Sequence, residues 1–133
     1  MKEINAGQEN CETECEVLYV RPAIVAEVNA TMPPMRLMHE MAETFKLLGD
    51  PTRLRIVHAL SRGELCVCDL AAMLGLARTA VSNHLRLLRS MRLVSYRKEG
   101  KLAFYALGDD HIARLLKGCL EHVQEQQPIG TSR

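Results

Sequence analysis

The residues best suited to chemistry are five cysteines, four of which come as two pairs: Cys66-Val67-Cys68 in mid-chain, and Cys11 with Cys15 among Glu9, Glu12, Glu14 and Glu16. Four thiolates form a soft donor set that suits Cd(II), Pb(II) or Zn(II). Spacing decides whether the mid-chain pair can share an ion. Residues i and i+2 lie about 200° apart on a helix and cannot, whereas on an extended segment they point to the same side. Glu64 to Val67 reads as extended and a helix follows from Cys68 or Asp69, so both thiols converge where a helix starts. The positive end of a helix favours the thiolate that a metal requires. The competing reading makes Cys66 and Cys68 small buried residues and the arm pair incidental. A third reading is a thiol redox sensor, with a reversible disulfide between Cys66 and Cys68 or across to the arm.

A second constellation holds nitrogen and oxygen ligands: Asp109, His111, His122 and Glu125. His111 and His122 lie about 20° apart around a helix but about 16 Å apart along it, so one helix cannot close the site. Two such helices packed antiparallel bring 111 opposite 122 and 109 opposite 125, both around a dyad near residue 117. That coincidence predicts a homodimer with two symmetric tetrahedral sites for Zn(II). Leu115 and Gly118 fall on the same face, Gly118 allowing close approach. The alternative is a polar helix end with two solvated histidines.

The third feature is charge. The chain carries a net +1, yet residues 1–32 hold two basic and six acidic side chains, residues 33–108 twelve and six, and residues 109–133 three and four. Within 78–101, Arg78, Arg86, Arg89, Arg92, Arg97, Lys98 and Lys101 face only Glu99. Such concentration marks a candidate polyanion-binding stretch, against the plainer reading of a solvated helix face.

These residues must be positioned by local elements. Residues 1–32 read as a flexible arm, in which Ala23 to Ala30 could form a short helix, ending at Met32-Pro33-Pro34. Met38, Met41, Ala42, Phe45 and Leu48 then keep a helical stripe. Gly49-Asp50-Pro51 stops it, with Gly49 expected as a left-handed cap, Asp50 as the next N-cap and Pro51 at the first helical position. Leu54, Val57 and Leu60 are expected to face inward from that helix, which Gly63 ends. The third helix closes at Gly75, and a fourth runs from about Arg78 to Met91. Leu93–Arg97 and Leu102–Leu107 form a hairpin through Gly100. A last helix opens at Asp109 or Asp110 and runs to about Gln126, leaving 128–133 as a disordered tail.

Two short helices joined by a Gly-containing turn and followed by a basic hairpin make a winged helix-turn-helix. The fold class is mainly α with a small β-hairpin, its domain spanning 33–127. On the fourth helix Val81, Leu85 and Leu88 form the core face, while Thr79, Ser82, Asn83 and Arg86 face outward with Arg89 at the edge. That outer face suits a major groove, where Asn and Arg pair with base edges and Ser or Thr with bases or phosphates. Arg78 adds charge at its start, and Arg97, Lys98 and Lys101 on the wing would meet phosphate or the minor groove. His84 lies nearer the core edge and reads as structural.

At 133 residues there is room for one domain. No apolar run approaches the roughly 20 residues that span a bilayer, and the polar Met1–Asn10 lacks a secretory signal, so a cytoplasmic protein without membrane partner is expected. No nucleophile–base pair, phosphate-binding glycine loop or open catalytic metal position is visible, so neither an enzyme nor a small-molecule substrate is expected.

Together these residues resemble the ArsR/SmtB family of bacterial metal-sensing winged-helix repressors. Glu64-Leu65-Cys66-Val67-Cys68-Asp69-Leu70-Ala71 is similar to its thiolate metal-box segment. Arg97-Lys98-Glu99-Gly100-Lys101-Leu102-Ala103, with Leu107-Gly108-Asp109-Asp110-His111-Ile112, is similar to the family's CadC-type cadmium/lead-sensing branch. The likeness covers about residues 35–126, and the arm matches through its cysteine pair. It implies a homodimer that binds a palindromic operator, represses a metal efflux or resistance operon and leaves DNA when metal binds. It implies that Cys11 and Cys15 of one subunit join Cys66 and Cys68 of the other as the sensing site. Asp109 and His111, with His122 and Glu125 of the partner subunit, match the family's interfacial zinc site, which senses in some members and is dispensable in CadC-type ones. Two departures stand out. Ala77 sits where relatives often place a Ser cap, a loss of about 1 kcal/mol unless Thr79 compensates. Cys119 belongs to neither ligand set and is expected in the dimer interface.

Overall fold

The computed structural model describes residues 13–125, so Cys11, the first residues of the arm and the expected tail lie outside it. The chain divides between Met38 and His39 into two compact units. The first contains helix α1 (Pro22–Thr31), which opens with Pro22 at a first-turn position and buries none of its residues. Helix α2 (Met35–Leu48) begins in this unit and ends in the second.

In the second unit, helix α3 (Pro51–Leu60) starts as its sequence requires: the Asp50 carboxylate accepts the Arg53 amide at 3.0 Å, with Pro51 inside the first turn. That amide bond, more than the nearby Arg53 charge, holds the Asp50 carboxyl below its usual value. Gly49 departs from expectation, because its φ is not positive. A left-handed cap is unnecessary here. The Gly49 amide donates to the Lys46 carbonyl at 3.2 Å, and the Arg53 Nε takes the Leu47 carbonyl at 2.7 Å, so terminal acceptors are satisfied without one.

The core gathers Leu48, Ile56, Val57, Ala59, Leu60, Leu70, Ala71, Val81, Leu85, Leu88, Leu93 and Val94. Leu54 is a correction: it stands 36% exposed while Ile56 and Ala59 take the interior. At about 100° per residue, Ile56, Val57 and Leu60 share one side and Leu54 falls off it. The α2 stripe also buries only Leu48, and Met38, Met41 and Phe45 remain open in the single chain.

Strand β1 (Leu65–Cys66) precedes helix α4 (Val67–Leu74), which begins a residue earlier than its polar signals suggest. Helix α5 (Arg78–Ser90) follows, then strands β2 (Val94–Glu99) and β3 (Leu102–Leu107) and helix α6 (Asp110–Glu125). The three strands form one antiparallel sheet in the order β1-β3-β2. Glu99 pairs with Leu102, so the hairpin turns on Gly100 and Lys101, and Gly100 supplies a φ of 62°. Gly108 is required for a different reason: its amide donates to the Leu93 carbonyl, and a Cβ there would overlap the Arg92 carbonyl oxygen. This is a winged helix-turn-helix. No helix among the described residues is long and apolar enough to cross a membrane.

Candidate functional site

The site is built outward from the α4–α5 turn. Gly75 closes α4 in the left-handed conformation at φ 70°, its amide bonding the Ala71 carbonyl at 2.8 Å. Ala77 then serves as N-cap of α5 with no side-chain bond, as its residue type dictates. Val81, Leu85 and Leu88 are fully buried, which locks the rotation of α5 and turns Arg78, Thr79, Ser82, Asn83, Arg86 and Arg89 outward. Asn83 and Arg86 are coupled on that face, Nη1 donating to Oδ1 at 2.8 Å. His84 is half-buried at 3.3 Å from the Arg53 guanidinium, in the structural position its placement suggested.

The wing is braced by rings and cations. Tyr96 and Tyr105 stack at 5.4 Å, and Arg89 lies over Tyr96 at 4.5 Å, which fastens the end of α5 to the sheet. Arg97 is placed differently from the other basic residues. Its guanidinium forks onto both carboxylate oxygens of Glu64 at 2.9 Å, meets Glu99 at 3.0 Å and covers Phe104 at 4.8 Å. The same bonds hold the Glu64 carboxyl below its usual value and stabilise the Arg97 charge further. Arg78, Lys98 and Lys101 make no ion pair among the described residues.

Cys66 caps the start of α4 and is 8% exposed, while Cys68 lies in the first turn and is exposed. The Asp69 carboxylate reaches back to the Cys66 amide at 3.3 Å and steadies this corner. Both cysteines line one concavity of about 450 Å³, together with Arg78, Thr79, Ser82 and Asn83 of α5 and Lys101 of the wing. Thiol donors and groups suited to nucleic acid therefore share a single hollow. Cys15 is exposed in the first unit.

At the start of α6 the Asp109 carboxylate accepts the His111 amide at 2.9 Å and lies 3.3 Å from His111 Nδ1. Desolvation pushes the Asp109 carboxyl up, but the side-chain and backbone bonds from His111 outweigh it and leave the group below its usual value. His122 and Glu125 are exposed in the last turns of the same helix. Among the described residues of one chain, no three His, Cys, Asp or Glu side chains gather closely enough to hold an ion.

A family model described as bacterial regulatory protein, arsR family, matches residues 50–96. A transcriptional repressor SmtB homolog from Synechocystis is 41% identical over 121 residues, covering 88% of this chain and 92% of that protein. A cadmium resistance transcriptional regulatory protein CadC homolog from Staphylococcus aureus is 39% identical over 117 residues, covering 87% and 96%. The chain belongs to the ArsR/SmtB family. A homodimeric winged helix-turn-helix DNA-binding domain from Mycobacterium bovis matches this ArsR/SmtB chain with a TM-score of 0.67 at 30% identity, over 71% of this chain and 87% of that one. The ArsR/SmtB chain is thus a transcriptional regulator of the metal-sensing type, close to CadC, and not an enzyme.

Sequence reasoning missed one feature of this ArsR/SmtB regulator, the Glu64–Arg97 fork. The two residues stand 33 positions apart, and only the β1–β3–β2 order brings Cys66 and Arg97 to the same partner, Phe104. No local pattern announces such a pairing.

Proposed function

We propose that this protein is a cytoplasmic, homodimeric, metal-responsive repressor. As a dimer it holds a palindromic operator through its two α5 helices and wings, and it releases that operator on binding Cd(II), Pb(II) or Zn(II). The genes it controls would serve metal efflux or resistance. The observation that carries this reading is the shared hollow: Cys66 and Cys68 line the same concavity as Arg78, Thr79, Ser82, Asn83 and Lys101.

The residues fit a thiophilic ion. Two sulfur donors sit at a helix start, one exposed and one at the rim of the core, and Cys11 and Cys15 of the partner subunit would complete a four-thiolate set. The ion supplies a tether between the partner's arm and the start of α4. The chain does the rest. Gly75-Leu76-Ala77 links α4 to α5 with only three residues, so a displacement of α4 passes to the face that meets DNA. A coupling of a few kcal/mol suffices for release, and linkage requires operator DNA to weaken metal binding by the same factor. Asp109 and His111, with His122 and Glu125 of the partner subunit, form the proposed interfacial Zn(II) site. All four are exposed, and Asp109 already orients His111.

The test is operator binding titrated with each metal, on the wild type and on Cys66→Ser and His122→Ala. Release is expected to fail in Cys66→Ser and survive in His122→Ala. The opposite pattern would move sensing to the interfacial site, and release by oxidant without metal would make the protein a redox sensor.

A further inference from the structure

Cys66, Phe104 and Arg97 form a row across the sheet, because Phe104 of β3 pairs with Cys66 of β1 on one side and Arg97 of β2 on the other. Residues directly opposed in an antiparallel sheet project to the same face. On that face the Arg97 guanidinium covers the Phe104 ring at 4.8 Å. Its Nε and Nη2 donate to the two carboxylate oxygens of Glu64, and its Nη1 donates to Glu99 at 3.0 Å. The next pair along the hairpin, Tyr96 with Tyr105, projects to the opposite face. There Arg89 of α5 lies over Tyr96 at 4.5 Å. The wing is therefore held from both sides, by the end of α5 on one face and by the thiol corner on the other.

The hold on the thiol side rests largely on the fork. Strands β2 and β3 run for six residues each, so the hairpin keeps its shape and moves as a unit, whereas β1 is two residues long and adds little backbone pairing. Both partners of the fork are substantially exposed, which limits what it adds to stability. Its two parallel bonds nevertheless fix direction as well as distance. Small energy with strict geometry suits a contact that rearranges.

We propose that Glu64 and Arg97 are positioning residues that pass closure of the thiol corner to the wing. The proposal rests on the metal-responsive reading above and adds a second path beside the α4–α5 link. Cys66 is anchored at the rim of the core and Cys68 is exposed, so gathering both sulfurs on one ion displaces the strand-to-helix turn between them. Glu64 stands two residues before Cys66 and moves with that turn. The guanidinium then follows the carboxylate or parts from it, and in either case the hairpin pivots against Arg89 and α5. Lys98 and Lys101, which make no ion pair among the described residues, ride on the hairpin and lose register with the operator backbone. Arg97 directs its donors at carboxylates, so its part in DNA binding is to aim those lysines.

The test compares full-length wild type with Glu64→Gln, Arg97→Lys and the double variant. Arg97→Lys keeps the charge of the wing and loses the fork, whereas Glu64→Gln loses the fork and makes the wing more positive. An effect common to both therefore belongs to the fork. Operator affinity is measured with and without Cd(II) at one salt concentration, and loading is followed by ultraviolet sulfur-to-Cd(II) charge-transfer absorption. Every protein is expected to load. The ratio of metal-free to loaded affinity should fall about three- to fivefold in each single variant and no further in the double. A second readout needs no DNA: the Arg97 Nε–H resonance, assigned by its absence from Arg97→Lys, should move when Cd(II) is added to wild type and should already be displaced in metal-free Glu64→Gln. Wild-type ratios in the single variants, an effect in one of them alone, losses that add in the double, or a resonance unmoved by Cd(II) would overturn the proposal and leave α4–α5 as the path. A loaded wild type that keeps its operator would instead sink the sensing reading, and the wing path with it.

Discussion

Individual side chains carry unequal parts of this molecule. Ala77 begins α5 with no side-chain acceptor for the amides of its first turn, and Thr79 lies outward at the second helical position. Ala77→Ser would supply an N-cap oxygen and should stabilise the fold by about 1 kcal/mol, read as a rise in the urea midpoint with an unchanged m-value. No rise, with helix content unchanged, would mean that the α5 amides already have partners. Cys66 and Cys68 differ in burial although only one residue separates them, because the backbone turns from strand to helix between them. A donor pair made in this way has one anchored and one accessible thiol.

Between elements, the Glu64–Arg97 fork is the contact with the clearest consequence. It joins the residue preceding β1 to β2 across β3, next to the thiol corner. Glu64 is held below its ordinary value chiefly by the Arg97 hydrogen bond. Its contribution to stability is therefore complete above that ordinary value and is lost as pH falls through the lower value of the folded state. Glu64→Gln should lower the melting temperature at neutral pH and match the wild type in acid, where the carboxyl of both states is protonated. The effect is small because both partners are substantially exposed. A difference that stays constant down to acid pH would show that the pair contributes by packing rather than charge. Removing the Glu64 charge leaves Arg97 with Glu99 as its one remaining carboxylate among the described residues and raises the positive charge of the wing, so the same variant should bind operator with a steeper salt dependence.

At the scale of the whole molecule, the single chain leaves many apolar side chains open: Met41 and Phe45 on α2, Leu115, Leu120 and Val123 on α6. Patches of this extent are what association covers. Phe45 is 54% exposed and contributes nothing to the core of its own chain. Phe45→Asp should shift sedimentation from dimer toward monomer while preserving the far-ultraviolet helix signal, and operator affinity should fall with dimer content. A dimer that survives Phe45→Asp unchanged would place the interface away from α2.

What the amino-acid sequence determined by itself was everything governed by neighbours along the chain. Helix period, the Asp50 cap, the Gly75 turn, the Gly100 hairpin and the inward face of α5 follow from contacts within four residues or so, and each was legible. The candidate donors were also legible, because sulfur and imidazole announce their chemistry by residue type. Tertiary structure alone decided which of these meet. It paired Glu64 with Arg97 and set Cys66, Cys68, Arg78 and Lys101 around one hollow. The reason is physical. Local preferences act through backbone torsions and adjacent turns, whereas these juxtapositions depend on how a small sheet and five helices share a single interior, a constraint on the whole chain at once.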